Sequence, residues 1–89
     1  MNPVFQVLEV YRPRQRRGPV LVGTVSSGTV EVGSRLISSD DPDRVLEVIA
    51  VDMPTLRSQA EGRIAVVVLP DLGDYLRSGA AFKIVTQES

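Results

Sequence analysis

RRGPVLVGTVSSGTVEVGSRL, residues 16–36, carries a glycine at every fifth position. Apolar residues alternate with polar ones between the glycines, which is the period-two pattern of β-strands. Glycine is needed where the backbone φ angle is positive or where a second backbone lies close. The stretch therefore predicts short strands joined by tight turns, built around Gly18, Gly23, Gly28 and Gly33.

The alternation continues on both sides of this stretch and predicts strands over most of the chain. These are Val4 to Tyr11, Val20 to Ser26, Thr29 to Val32, Ser34 to Ser38, Arg44 to Asp52, Arg63 to Leu69 and Ala81 to Thr86. Residues 55–60 fit either a short strand or a turn. Because no long helical periodicity is present, the predicted class is all-β. Short strands separated by Gly, Pro and Asp turns predict a small closed β-barrel, which has no free sheet edges.

Some strand faces and turns can be predicted in more detail. In the first strand, alternate apolar positions compete for the core face: Phe5, Val7 and Tyr11 against Val4, Leu8 and Val10. Gly33 is predicted at the left-handed position of a type II turn, where glycine is favoured. Asp74 is predicted to N-cap a single helical turn that Gly79 ends.

Length and composition restrict the class of protein. The 89 residues suffice for one domain with a modest core, so residues 1–89 are interpreted as a single β-barrel domain. The chain contains no Cys and no His, which removes the most reactive nucleophile and the commonest general base. No apolar run approaches the roughly 20 residues that span a bilayer. We therefore expect a cytoplasmic, non-catalytic protein without a membrane segment, cofactor or metal.

Charge is concentrated in one loop. The formal net charge is −1, but Arg12, Arg14, Arg16 and Arg17 place four positive charges between two predicted strands. A second cluster, Asp40, Asp41 and Asp43, lies in an acidic turn. It lacks the spaced oxygen ligands and closing glutamate of a calcium loop, so an ordinary turn is the expectation. The arginines either contact the phosphates of a nucleic acid or form a solvated loop.

The order of these landmarks resembles domain two, the β-barrel domain, of translational GTPases such as elongation factor Tu. The resemblance runs through Phe5 to Tyr11, Arg17 to Leu36, Ala60 to Val66 and Asp74 to Gly79, and it covers about residues 4–85. It implies a closed antiparallel Greek-key β-barrel of about six strands, of the translation-protein type, here as a stand-alone domain. The chain departs from the family pattern at several positions, including Val22 in place of a threonine and Ser34 in place of an acidic residue.

The resemblance also implies candidate binding residues. In the family, this barrel holds the aminoacyl end of transfer RNA, through an acidic and an aromatic residue ending the first strand and through the segment before the buried strand. The matching positions are Glu9, Tyr11 and Arg63. An aromatic face can stack on a base, and a carboxylate can accept a hydrogen bond from an amino group. Alternatively, Tyr11 is a core residue at the barrel rim and Glu9 is a solvated strand residue.

Two functions remain open at this point. The first is a protein-interaction or self-association module that keeps the barrel without the family's RNA role. The second is binding of RNA or a ribonucleoprotein through the loop from Arg12 to Arg17, with Tyr11 as a stacking surface. The sequence has no GxxxxGK[ST] loop, so it has no nucleotide phosphate site of that kind.

Overall fold

Six antiparallel strands close into a barrel in the order β1-β2-β5-β4-β3-β6. The computed structural model describes residues 3–15, 17–27, 30–52 and 62–85. The strands are β1 (Val4–Tyr11), β2 (Val20–Val25), β3 (Arg35–Ser38), β4 (Val45–Asp52), β5 (Arg63–Leu69) and β6 (Ala81–Val85), with a 3-10 turn at Gly73–Tyr75. The predicted all-β class and the closed barrel are confirmed. The ambiguous residues 55–60 lie outside the described residues.

The topology contains a Greek key. Strands β3, β4 and β5 follow one another as antiparallel neighbours, and β6 returns to pair with β3. Strand β1 then closes the barrel by pairing with both β2 and β6. Each of the six strands that the structure describes thus has a neighbour on both sides, and none of these six has an unpaired edge that could promote aggregation.

The core fills the barrel interior with apolar side chains from every strand. Its members include Phe5, Val7, Leu21, Leu36, Leu46, Val48, Val66, Val68, Phe82 and Ile84. Leu76, which follows the 3-10 turn, is 4% exposed and packs into the same cluster. Burying one such large side chain is worth about 1.5–3 kcal/mol. The core residues within β4, β5 and β6 are two positions apart, as the alternation of side chains along a strand requires.

A β-bulge changes the faces of β1 partway along its length. Val7 pairs with Gly23 of β2, whereas Glu9 pairs with the next residue along β2, so Leu8 is an extra residue. Val7 is fully buried and Val10 packs against the core, which places Glu9 and Tyr11 on the outside. The interior residues of β1 are therefore Phe5 and Val7 before the bulge and Val10 after it.

A second bulge does the same in β4. Val48 is buried and pairs with β5, and the register shifts so that Ile49 is the extra residue. Val51 packs against the core after the shift. Ala50 and Asp52 consequently face outward.

The strand predicted over Thr29 to Val32 is wrong in its described part, because Val30 to Val32 do not pair with a neighbouring strand. The chain turns here instead. The Ser34 amide donates to the Glu31 carbonyl (3.0 Å) and the Ser34 hydroxyl accepts from the Glu31 amide (3.1 Å). Gly33 has φ +94° in this turn, so the left-handed conformation predicted for it is confirmed.

The predicted helical turn exists, but its capping is different. It is a 3-10 turn over Gly73–Tyr75 with Leu72 at the N-cap position, and Leu72 makes no side-chain capping bond. Asp74 is therefore not the N-cap and lies in the first turn. The Gly73 amide is satisfied by Asp71, whose Oδ1 accepts it at 2.8 Å. Because the turn ends at Tyr75, Gly79 does not terminate it. Gly79 lies in a separate turn, with φ +91°.

Two glycines in the opening stretch are required by close packing. A Cβ on Gly23 would overlap the backbone carbonyl oxygen of Gln6 and would lie 2.9 Å from Cζ of Phe5. A Cβ on Gly18 would likewise overlap the carbonyl oxygen of Val68. Gly28 lies outside the described residues. In the part of the chain that the structure describes, there is no helix with the length and apolar character to cross a membrane.

Candidate binding surface

The outward sides of four neighbouring strands, β1, β2, β5 and β4, form one continuous surface, which we call the outer face. Two rows of paired residues cross it. One row is Tyr11, Val20, Val67 and Ala50, and the other is Glu9, Val22, Ala65 and Asp52. The centre of both rows is apolar, and the charged side chains stand at the two ends of the second row.

The apolar character of the outer face is unusual for the outside of a small barrel. Strands with one face in the core normally alternate with polar residues on the other face. Here Val67 and Ala65 are 2% and 5% exposed although they face away from the core. Val20 and Val22 beside them are partly exposed, and Tyr11 at the margin is 51% exposed. Val67 and Ala65 are thus already covered within the chain, and the accessible apolar part of the outer face consists of Val20, Val22 and Tyr11.

Glu9 and Tyr11 act as a pair at the margin of the outer face. The Tyr11 hydroxyl donates a 2.7 Å hydrogen bond to Oε2 of Glu9. This hydrogen bond, together with the negative charge of Glu9, raises the pKa of Tyr11 above its ordinary value near 10. The interaction is possible because Glu9 and Tyr11 are two residues apart on one strand and so lie on the same side, which the bulge at Leu8 turns outward. Tyr11 is therefore an exposed residue of the outer face and not a core residue at the rim.

Arg63 joins the same surface from β5. It pairs with Thr24 of β2, one position beyond the row that contains Glu9, Val22 and Ala65. Its side chain is exposed and lies on the outward side with that row. All three residues that the sequence resemblance selects therefore lie on the outer face.

Arg12 is engaged in a structural interaction. Its Nε donates to Oδ2 of Asp71 at 2.9 Å, and its Nη2 donates to Oδ1 at 3.1 Å and to the Gly73 carbonyl at 2.9 Å. The hydrogen bond to Asp71 raises the pKa of Arg12, and the same bond lowers the pKa of the Asp71 carboxyl. Arg12 therefore ties the arginine loop to the segment that contains the 3-10 turn.

The other arginines of the loop differ from Arg12. Arg14 and Arg17 are exposed, and neither forms an ion pair within the residues that the structure describes. Arg17 lines a pocket of about 190 Å³, together with Gln15, Ile49, Ala50 and Val67. This pocket connects the loop to the outer face. Arg16 lies outside the described residues.

The acidic turn has an internal role. The Asp43 amide donates to Oδ1 of Asp41 at 3.0 Å, and Oδ2 of Asp41 lies 3.5 Å from Nε of Arg44. Within the described ranges, no three acidic side chains gather in a way that could hold a metal ion. The turn is stabilised by these interactions across the β3–β4 connection.

Sequence reasoning missed a second recess, at the end of the barrel that also carries the arginine loop. It is a cleft of about 300 Å³ between the β3–β4 connection, the 3-10 turn and the start of β6, and we call it the end cleft. The Arg44 guanidinium lies 3.3 Å from the ring centroid of Tyr75 inside it. Tyr75 is visible in the sequence as an aromatic residue in a turn, but nothing there indicates that the distant Arg44 covers it.

Comparison of the chain with protein-family models, with curated proteins and with solved structures finds no significant match. A function must therefore be inferred from features of the structure itself. Those features are an apolar outer face with the Glu9–Tyr11 pair at its margin, a loop with exposed arginines, and the end cleft.

Proposed function

We propose that this domain is a non-catalytic binding module that holds a partner protein against its outer face. The observation that carries the proposal is the pair of apolar rows on the outside of β1, β2, β5 and β4. The sequence resemblance to domain two of translational GTPases supports it, since the residues selected by that resemblance lie on this surface. Self-association through the same face is a variant of the proposal.

The surroundings of the outer face fit a protein contact. Tyr and Arg are the residue types enriched among interface residues that contribute most to affinity, and such residues work best next to a desolvated apolar centre. Tyr11 and Arg17 flank the apolar centre here, and Arg63 and Glu9 supply charges of both signs around it. A partner would thus contact Val20, Val22 and Tyr11, with charged side chains at the margin.

The test is quantitative affinity capture from the native cell with the domain as bait. Val20→Asp and Tyr11→Ala should abolish capture of the partner, since both alter the outer face without touching the core. Val85→Asp is the matched control, because Val85 is 39% exposed on β6, away from the outer face. Capture that the outer-face variants leave unchanged would refute the proposal. Sedimentation of the pure domain over a concentration series tests self-association.

RNA binding is a second candidate, favoured by the exposure of Arg14 and Arg17 next to Tyr11. The affinity for single-stranded RNA should then fall steeply with salt. Each phosphate contact should lower the logarithm of the binding constant by about 0.7 for every tenfold increase in salt concentration. Arg14→Ala and Arg17→Ala should each reduce that slope. Arg12→Ala disrupts the link to Asp71 and is unsuitable as a contact variant. Absence of binding at low salt would remove this candidate.

A further inference from the structure

The end cleft has polar walls above an apolar floor. Its floor and walls come from the β3–β4 connection, from residues 72–80 and from the start of β6. The aromatic and polar residues that line it include Tyr75, Arg44, Arg77, Asp40, Ser39 and Ser78. The volume of about 300 Å³ lies at the lower end of the range of small-ligand pockets, which is about 300–1,000 Å³.

Tyr75 offers a stacking surface in this cleft. One face of its ring is covered by the Arg44 guanidinium at 3.3 Å, and Arg44 is held in turn by Asp41. The side chain is nevertheless 54% exposed, so a large part of the ring remains open to a ligand. A ring fixed on one side by a cation is a ready partner for a planar base on the other side.

Groups for a phosphate and for base amino groups stand around the ring. Arg77 is exposed and forms no ion pair with any residue in the described ranges, so its guanidinium fork is free to pair with a phosphate. The hydroxyls of Ser39 and Ser78 can donate to further oxygen atoms. The Asp40 carboxylate can accept hydrogen bonds from amino groups, which a purely anion-binding pocket would not need.

We propose that the end cleft binds a nucleoside monophosphate. The base stacks on the open face of Tyr75, its amino group donates to Asp40, and its phosphate pairs with Arg77. This mode needs no phosphate-binding loop, because side chains and not backbone amides hold the phosphate. It is independent of the outer face, so the proposed protein contact can fail while this site stands, and the reverse also holds.

The test is a titration of the ¹⁵N-labelled full chain with adenosine monophosphate, followed by NMR. Saturable shifts should appear at the amides of Tyr75, Ser78 and Ala81, which line the cleft. Adenosine and inorganic phosphate are titrated separately, and each should bind more weakly than the nucleotide. Nucleotide that causes no saturable shift, or shifts only at the outer face, overturns the proposal, as does inorganic phosphate that binds as tightly as the nucleotide.

Variants separate the contribution of the ring from that of the phosphate contact. Arg77→Ala should weaken nucleotide binding about tenfold or more, the worth of a charge-assisted hydrogen bond, and should leave adenosine binding unchanged. Arg35→Ala removes the same charge from an exposed position of β3 outside the cleft and should change neither affinity. Tyr75→Ala should weaken both ligands about fivefold or more, while Tyr75→Phe, which keeps the ring, should retain them. Equal effects of Arg77→Ala and Arg35→Ala would refute the assignment, because only long-range charge would then be acting.

Discussion

Replacing Gly23 with alanine should destabilise the barrel by about 3 kcal/mol, because the added methyl group has no space. The new Cβ would overlap the carbonyl oxygen of Gln6 and approach Cζ of Phe5 to 2.9 Å. Neither neighbour can move easily. Gln6 is paired with Thr24 in the β1–β2 ladder, and Phe5 is fully buried in the core.

The magnitude follows from the kind of contact. Overpacking a well-packed interior costs about 1–3 kcal/mol, and the upper end applies because one of the clashing atoms belongs to the backbone. A domain of this size has a free energy of unfolding of about 4–13 kcal/mol, so the loss is a large share of it. Each kcal/mol shifts Tm by about 4–8 °C in a domain of this length. Gly23→Ala should therefore lower Tm by about 12–24 °C.

Gly33→Ala provides the matched control. The stability of both variants is measured by thermal and urea unfolding, monitored by circular dichroism. Nothing lies within 4 Å of a Cβ at Gly33, but its φ of +94° disfavours alanine. The cost there is purely conformational, about 1–2 kcal/mol, and the loss of Tm is correspondingly smaller. If Gly23→Ala were no more destabilising than Gly33→Ala, close backbone packing at Gly23 would be refuted as its reason for being glycine.

Two further predictions concern the ionisable groups. Glu9→Gln should lower the pKa of Tyr11, because it removes the negative charge that raises it; ultraviolet titration in a Tyr75→Phe background isolates Tyr11. Asp71 has a lowered pKa in the folded state, so its link to Arg12 stabilises the fold above the unfolded-state pKa near 3.9 and is lost as the pH falls through the lower folded-state value. Asp71→Asn should therefore reduce the pH dependence of the free energy of unfolding in acid. At neutral pH the variant should lose little stability, because the ion pair is exposed. An unchanged pH dependence in acid would contradict this prediction.

The strands could be predicted from the sequence because the period-two pattern coincides with β-branched residues and clear turn signals. The segment Arg63–Leu69 is an example, since its apolar run is bounded by glycine and proline on either side. The alternation also continues through Val30 to Val32, where the chain forms a turn instead. A buried serine, Ser34, holds that turn by accepting from the Glu31 amide, and the burial of a single hydroxyl is not visible in a pattern of residue types.

The candidate site could be predicted only in part from the sequence, for a related reason. Glu9, Tyr11 and Arg63 could be selected because they match a motif position by position. The hydrogen bond from Arg12 to Asp71 could not be predicted, because the two residues are 59 positions apart in the sequence. Ordinary turn chemistry also accounts for an aspartate at position 71 without such a partner. The same applies to Arg44 and Tyr75, which the barrel brings together from two separate connections. Such pairs depend on the closure of the barrel.

The two bulges explain how the outer face arises. If β1 kept strict alternation after Val7, Glu9 would face the core, where an unpaired carboxylate is costly. The extra residue Leu8 moves Glu9 outward and lets Val10 pack inside. In β4, Ile49 does the same for Asp52. Because the bulged strands lie on either side of β2 and β5, the two shifts bring outward-facing residues into register with the apolar positions of the central strands. The outer face therefore depends on two bulges that each accommodate one extra residue. Because Val7 and Glu9 already pair with consecutive residues of β2, deleting Leu8 should give β1 an unbroken alternation that keeps Val10 inside and Glu9 and Tyr11 outside, and circular dichroism should show that the barrel still folds.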